Sequence, residues 1–318
     1  MRRNATPSAA SFPRPAPVRA GVGDRLRRAS WRGRRIDWVA YLFLLPFLVP
    51  FLVFTVGAIG FGAYVGFTDW GIVGEPVWVG LANVRRALAD PFVPKVWGNT
   101  LRYGLIVVPA TTAVALLLAL FVDRRWRGAG LARAVFFAPN LVSATAVGLV
   151  WVWLLDTRFG LVNRTLGLVG GPSVPWLTNP DWVLVGIGAA SIWWDAGFAM
   201  VVFLAGLRQI PPELREAARV DGAGPVRVLR DVVLPLLWPA TSLVVTLLLI
   251  GTLRVFSQIY VMTNGGPANA SATVMLYVYR VGFGEYRLGY AAALSLLLFA
   301  TIVVVTAIGL RIALGHRW

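Results

Sequence analysis

Residues 210–225 read Ile210-Pro211-Pro212-Glu213-Leu214-Arg215-Glu216-Ala217-Ala218-Arg219-Val220-Asp221-Gly222-Ala223-Gly224-Pro225, between two long apolar runs. Pro211 and Pro212 stop one helix and start the next, because proline is tolerated in a first helical turn and disrupts a helix interior. Glu213 and Glu216 fall in the first turns of the new helix, where carboxylates suit the positive end of the dipole. Ala217 and Ala218 are small and allow close approach by another surface. Asp221-Gly222 ends the helix, with Gly222 free to take a left-handed conformation. A second helix follows from about Pro225, and Pro235 marks entry into the next apolar run. A connector between helices needs only a few residues. The 208–233 loop is far longer and of mixed charge, so it predicts either a docking surface for a partner protein or a surface helix without one.

The flanking runs set the fold class. Apolar stretches recur at 39–67, 103–122, 134–155, 183–207, 236–262 and 289–310. The chain is 58% hydrophobic and 14% charged, with a mean hydropathy of +0.70; a soluble domain carries about 25% charged residues. A hydrocarbon core of ~30 Å is crossed by about 20 helical residues. The expectation is an all-α membrane protein with six transmembrane helices. Pro46, Pro50, Pro109 and Pro139 predict kinks, which membrane helices tolerate. The first run is too long for a signal-peptide core and lacks a small-residue cleavage site, so it is expected to remain as a span. Residues 81–100 suit an amphipathic helix on the outer surface. Trp70, Trp78, Trp97, Trp176 and Trp182 read mainly as interfacial aromatics.

Basic residues are distributed unevenly. Residues 1–37 hold ten arginines, and with those of 123–133, 208–233 and the C-terminal tail twenty-one basic residues lie on one side of the spans, against nine on the other. The positive-inside rule then places both termini in the cytoplasm. The domain reading is an Arg-rich cytoplasmic tail (1–37), a transmembrane domain (38–312) and a short cytoplasmic tail (313–318). A net charge of +16 can mean nucleic acid, but arginines placed before and between apolar runs follow the membrane pattern, so the bilayer is the expected partner. There is no cysteine, the one histidine is His316 and the one lysine is Lys95. That excludes thiolate metal sites, a histidine-based triad and a phosphate-binding Gly-Lys-Ser/Thr loop. No catalytic residues, metal or cofactor are expected.

Glu216-Ala217-Ala218-Arg219-Val220-Asp221-Gly222-Ala223-Gly224, with Leu234-Pro235 downstream, resembles the EAA loop of permease subunits in ATP-binding-cassette importers. Leu204-Ala205-Gly206-Leu207-Arg208-Gln209-Ile210-Pro211 and Tyr260-Val261-Met262-Thr263-Asn264-Gly265-Gly266-Pro267 resemble the carbohydrate branch, the maltose and glycerol-3-phosphate type. Trp151-Val152-Trp153-Leu154-Leu155, followed by Phe159-Gly160-Leu161-Val162-Asn163, fits it too. The resemblance covers roughly 38–312 and leaves the Arg-rich tail unexplained. It implies the type I, maltose-transporter-like fold in an inner membrane. It also implies a second permease completing the pore, separate ATPase subunits and an extracytoplasmic solute-binding protein that delivers sugar. The coupling residues carried over are Glu216, Ala217, Ala218, Asp221, Gly222 and Ala223. ATP-driven closure of the partner would rock the spans as rigid bodies.

Within the fourth run, Asp195 lies about twelve residues from the end nearest the loop, ~18 Å at 1.5 Å per residue. An ionisable group at that depth costs about 2.5–3.5 kcal/mol unless it faces a cavity or partner. Aromatic faces beside carboxylate and amide groups suit sugars. The resemblance places substrate contacts here and in the fifth run, which makes Trp194, Asp195, Phe198, Thr252, Arg254 and Gln258 the candidates. Asp195 has an alternative role in an ion pair with Arg254 or another subunit, and Arg254 an alternative position snorkelling to the outer surface. Trp193 and Phe256 read as packing or lipid-facing. A permease for a non-sugar solute and a secondary transporter are the competing functions; inverted repeats, common in the latter, are not visible.

Overall fold

The computed structural model describes residues 38–124 and 126–315. The expected N-terminal tail, Arg125 and residues 316–318 lie outside the described residues. The described chain separates into two units, one ending at Ala58 and one starting at Ile59. In the first, α1 (Trp38–Phe51) contains Pro46 and Pro50 and is followed by a π-helical turn over Leu52–Gly57. Wide turns are one way in which helices accommodate local disruption of their hydrogen bonding. Helical conformation continues in α2 (Ala58–Gly66), so residues 41–66 form an apolar helix of spanning length.

In the second unit, β1 (Thr68–Asp69) and β2 (Val77–Trp78) pair antiparallel, with Thr68 opposite Trp78. The helix expected over 81–100 is shorter: α3 covers Ala82–Ala89, and residues from Phe92 onward already belong to α4 (Phe92–Asp123). Asp90 makes the joint. Its carboxylate accepts the Phe92 amide at 2.8 Å and the Tyr277 and Tyr290 hydroxyls at 2.5 and 2.7 Å. Burial acts to raise this carboxyl's pKa, but these hydrogen bonds and the nearby Arg287 charge outweigh it and hold the group below its ordinary value. Pro109 lies inside α4, which continues through it unbroken.

The third expected span is not one helix. It consists of α5 (Ala129–Phe137), a 3-10 turn over Ala138–Leu141 containing Pro139, and α6 (Ala144–Leu154), bent by 99°. Ser143 caps α6 by accepting the Ala146 amide at 3.3 Å. A short helix, α7 (Leu161–Leu168), precedes the straight α8 (Val183–Gln209), which matches the fourth expected span. The loop segment follows as α9 (Pro212–Val220), α10 (Pro225–Val228), a π turn over Leu229–Val233, and α11 (Leu234–Leu236). The fifth span, expected over 236–262, is α12 (Trp238–Leu253), bent by 67° from the helix before it; it stops at Leu253, and α13 (Ser257–Thr263) is separate. Then come α14 (Val274–Tyr279), a π turn over Arg280–Gly284, and α15 (Leu288–Gly315). Among the described residues four helices are long and apolar enough to cross a membrane, and counting each bent pair as one span makes six.

The packing explains the small residues. Apolar surface gains little by leaving lipid for protein, so close van der Waals approach has to hold membrane helices together. The α4–α8 seam is the most extensive. Ala115 and Ala119 on α4 and Ala190 and Ala199 on α8 are buried, and a Cβ on Gly188 would already touch Ile106 and Val107 at 3.3 and 3.4 Å. One core gathers around Tyr103, Ile187 and Leu276. Another gathers at the α9 end around Met200, Phe203, Leu207 and Leu237, and takes in Val228 and Val233 from the loop.

The Thr-Asn-Gly-Gly-Pro stretch forms a fixed knot against α4. Asn264 and Gly265 both have positive φ, 47° and 82°. Asn99 donates to the carbonyls of Asn269 and Ala272 at 3.0 and 2.9 Å, Thr100 Oγ1 accepts the Val274 amide at 3.1 Å, and Arg280 donates to Asn264 and Asn269. Asn163 plays the same part between α7 and α8, accepting the Val174 amide and the Trp176 indole at 3.1 and 3.0 Å. These motifs have a clear structural role.

Candidate functional site: a cavity in the spans and an exposed helix at one end

A cavity of about 460 Å³ lies between α4, α8, α12 and the break after Leu253. All six residues singled out in the spans line it: Trp194, Asp195, Phe198, Thr252, Arg254 and Gln258. The α8 contributors follow from helical spacing, since positions i, i+1 and i+4 share a face. Arg254 and Gln258 are brought in by a feature that sequence reasoning missed. The backbone leaves helical geometry at Phe256, with φ −135° and ψ −60°, so Arg254–Phe256 open into the cavity instead of continuing α12. Phe256 was expected to pack or face lipid. It lines the cavity and stacks on Tyr260, 5.3 Å between ring centroids. Trp193 is exposed and lies 6.1 Å from Trp151, as a packing or lipid-facing residue would.

Several lining groups are already committed. The Trp194 indole donates to the Val142 carbonyl at 3.1 Å, which ties α8 to the turn before α6. Thr252 donates to Leu249 O at 3.0 Å. Tyr103, missed in the sequence, is buried and donates to Ser191 at 2.6 Å; a hydroxyl inside an apolar run, which needs a partner, was the available signal. In contrast, among the described residues Asp195 and Arg254 make no ion pair with each other or with any other side chain. The cavity thus presents a carboxylate acceptor, a guanidinium donor and an amide beside the faces of Trp194, Phe198 and Phe256. That set can recognise a molecule with hydroxyl rims and apolar C–H faces.

The second candidate region is α9. Its end is a Schellman motif: Gly222 has φ +82°, its amide donates to Arg219 O at 3.0 Å, and the Ala223 amide donates to Ala218 O at 2.9 Å. The expected conformation of Gly222 is therefore present, and a Cβ there would meet nothing within 4 Å. The six loop residues divide by face. Glu216, Ala217, Asp221 and Gly222 are exposed. Ala218 and Ala223 are half-buried against the protein's own core at the α9 end, so the close approach their size allows is to the spans. Val220 and Val226 project outward, 87% and 78% exposed. Arg215, also missed, points inward and pairs with Asp123 at 3.2 Å.

Known proteins share this architecture. A bacterial ABC transporter involved in the import of the acidic polysaccharide alginate matches with a TM-score of 0.76 at 24% identity, over 91% of this chain and 98% of its own, which shows the fold. The sulfoquinovosyl glycerol transport system permease SmoG of Agrobacterium fabrum is 31% identical, covering 92% of this chain and 91% of that protein. The trehalose/maltose transport system permease MalF of Thermococcus litoralis is 31% identical over 88% of this chain and 95% of its own length. Residues 111–313, which hold α8, α9 and α12, match the family described as binding-protein-dependent transport system inner membrane component. The chain belongs to that family, the membrane-spanning permeases of ATP-binding-cassette importers.

Proposed function

We propose that the chain is one permease subunit of an ATP-driven sugar importer, that its cavity carries the sugar, and that α9 receives a separate ATPase. The observation carrying this reading is the convergence of Trp194, Asp195, Phe198, Thr252, Arg254 and Gln258 on one cavity at a helix break. A helix break that lines a cavity is where membrane proteins tolerate irregular backbone. The similar proteins named for sulfoquinovosyl glycerol and trehalose/maltose transport favour a saccharide over an amino acid or inorganic anion. A second permease completes the pore, a solute-binding protein delivers substrate from outside, and the ATPase engages the exposed face of α9 around Glu216, Ala217 and Val220. Proteoliposomes holding the chain with its co-purifying subunits are expected to show ATP-dependent uptake from a saccharide panel. Uptake of amino acids or sulfate with none of saccharides would overturn the sugar assignment.

In this reading residues 1–37 form a cytoplasmic tail and α9 lies on the cytoplasmic side. The chain is free of cysteine, so single-cysteine labelling reports cleanly. Val73→Cys and Val169→Cys, at positions 92% and 82% exposed, are expected to react with an impermeant thiol reagent in intact cells. Ala10→Cys should react only after permeabilisation. Labelling at residue 10 in intact cells contradicts the orientation.

Gly222→Val is expected to insert normally and to reduce uptake. A β-branched residue in the left-handed region carries strain of about 1–3 kcal/mol, which loosens the end of α9 and displaces its docking face. Uptake measured against membrane level checks this; wild-type uptake at equal level would show that the cap does not matter for coupling.

A further inference from the structure

Arg215 stands on the inward side of α9, away from the exposed face. Its Nη1 reaches Asp123 Oδ2 at 3.2 Å and its Nη2 donates to the Leu207 carbonyl at 2.9 Å. Both ionic side chains are mostly buried, 23% and 24% exposed. Asp123 is the last residue of α4, and Leu207 lies in the last turn of α8. The i+4 partner of this carbonyl would be Pro211, which has no N–H, so Leu207 O otherwise receives a long 3.4 Å bond from the Ile210 amide, and the guanidinium supplies a shorter second one. The planar fork of arginine allows both bonds at once, which a lysine ammonium on its flexible stem does not match.

Both anchor helices contribute to the cavity wall, beside α12 and the break after Leu253. Tyr103 stands on α4, and Trp194, Asp195 and Phe198 stand on α8. The α4–α8 seam is the most extensive helix pairing among the described residues, and helices packed in this way shift as rigid bodies. We infer that Arg215 is a positioning residue that couples α9 to these two helices, so that displacement of α9 by the ATPase reaches the cavity walls instead of bending the loop. α9 also packs on α10 and the π turn over Leu229–Val233, and meets the core through half-buried Ala218 and its proline entry. Among the described residues, none of these contacts fixes it to α4 by a polar bond. The inference rests on the reading that a separate ATPase acts at α9.

The test uses the assembled complex in proteoliposomes. Arg215→Ala is expected to co-purify with the ATPase at wild-type level and to keep the KM for ATP. Its substrate-stimulated maximal ATPase rate and its uptake should fall about fivefold or more, the scale of an ordinary coupling free energy. Arg215→Lys should restore little. The charge exchange Asp123→Arg with Arg215→Asp should recover part of the stimulated rate relative to either single change. Unchanged stimulation in Arg215→Ala overturns the inference. So does loss of co-purification that the exchange fails to rescue, because the residue would then serve only folding. If the wild-type complex itself shows no substrate-stimulated hydrolysis, the ATPase reading fails, a separate and distinguishable result.

Discussion

Gly197→Ala is expected to remove most of the correctly assembled protein. A Cβ at this position would lie 2.1 Å from the Phe136 carbonyl oxygen and 2.8 Å from Phe137 Cα. Both obstacles are backbone atoms, so no side-chain rotation relieves them. Either α8 moves away from the α5 turn, or that turn moves and carries the 99° bend with it. Overpacking a tight core costs about 1–3 kcal/mol and occasionally more, and a rigid backbone collision belongs at the upper end. The damage is also aimed at the cavity, because Gly197 lies between Asp195 and Phe198. The Trp194–Val142 bond spans the same junction. The yield of monodisperse protein in detergent and its thermal midpoint should both fall, and uptake per surviving molecule should fall as well. Gly167→Ala is the control: a Cβ there meets nothing within 4 Å, and Gly167 lies in the last turn of α7, where alanine is the better helix former. Wild-type yield and uptake in Gly197→Ala would show that α8 and the α5 turn do not approach as the structure has them.

The same junction shows what the sequence could reveal and what it could not. The straight spans were legible because an apolar run of spanning length has few other uses, and α8 falls almost where its hydrophobicity placed it. The broken spans were not. Hydrophobicity stays high through residues 134–155 and 236–262 although the helix stops inside both, since lipid exposure constrains side-chain polarity and not backbone direction. Pro139 marked one break. Nothing in Arg254-Val255-Phe256 marked the other, where no proline or glycine intervenes. The extension of α4 back to Phe92 was hidden by Lys95, Asn99 and Thr100, whose polarity reads as part of a surface amphipathic helix but is met by the 264–274 segment. Asp195 was legible as a cavity-facing residue because a carboxylate deep in a span needs a reason. Arg215 was not, because an arginine in a mixed-charge loop is ordinary until the structure shows Asp123 beside it.

Asp195→Asn is expected to leave assembly near normal and to weaken uptake by about ten- to a hundredfold, as loss of a hydrogen bond to a charged group contributes about 1.5–3 kcal/mol. The substitution keeps the shape of the side chain. It replaces an acceptor-only carboxylate with an amide that also donates, so a sugar hydroxyl that gives its proton to Asp195 loses its stronger, charge-assisted partner. The competing role was a buried pair with Arg254. Breaking such a pair costs roughly 3–5 kcal/mol, because the remaining charge is stranded, and assembly would then fall. The geometry favours the first outcome: Asp195 and Arg254 both line the cavity, yet among the described residues neither forms an ion pair. Arg254 is moreover exposed, so removing its neighbour does not leave a buried cation. Adding Arg254→Gln to Asp195→Asn is therefore expected to weaken uptake further, since both groups line the same cavity. Recovery of assembly or uptake in the double variant would show that the charges balance each other, and wild-type uptake in Asp195→Asn would remove the carboxylate from the transport path.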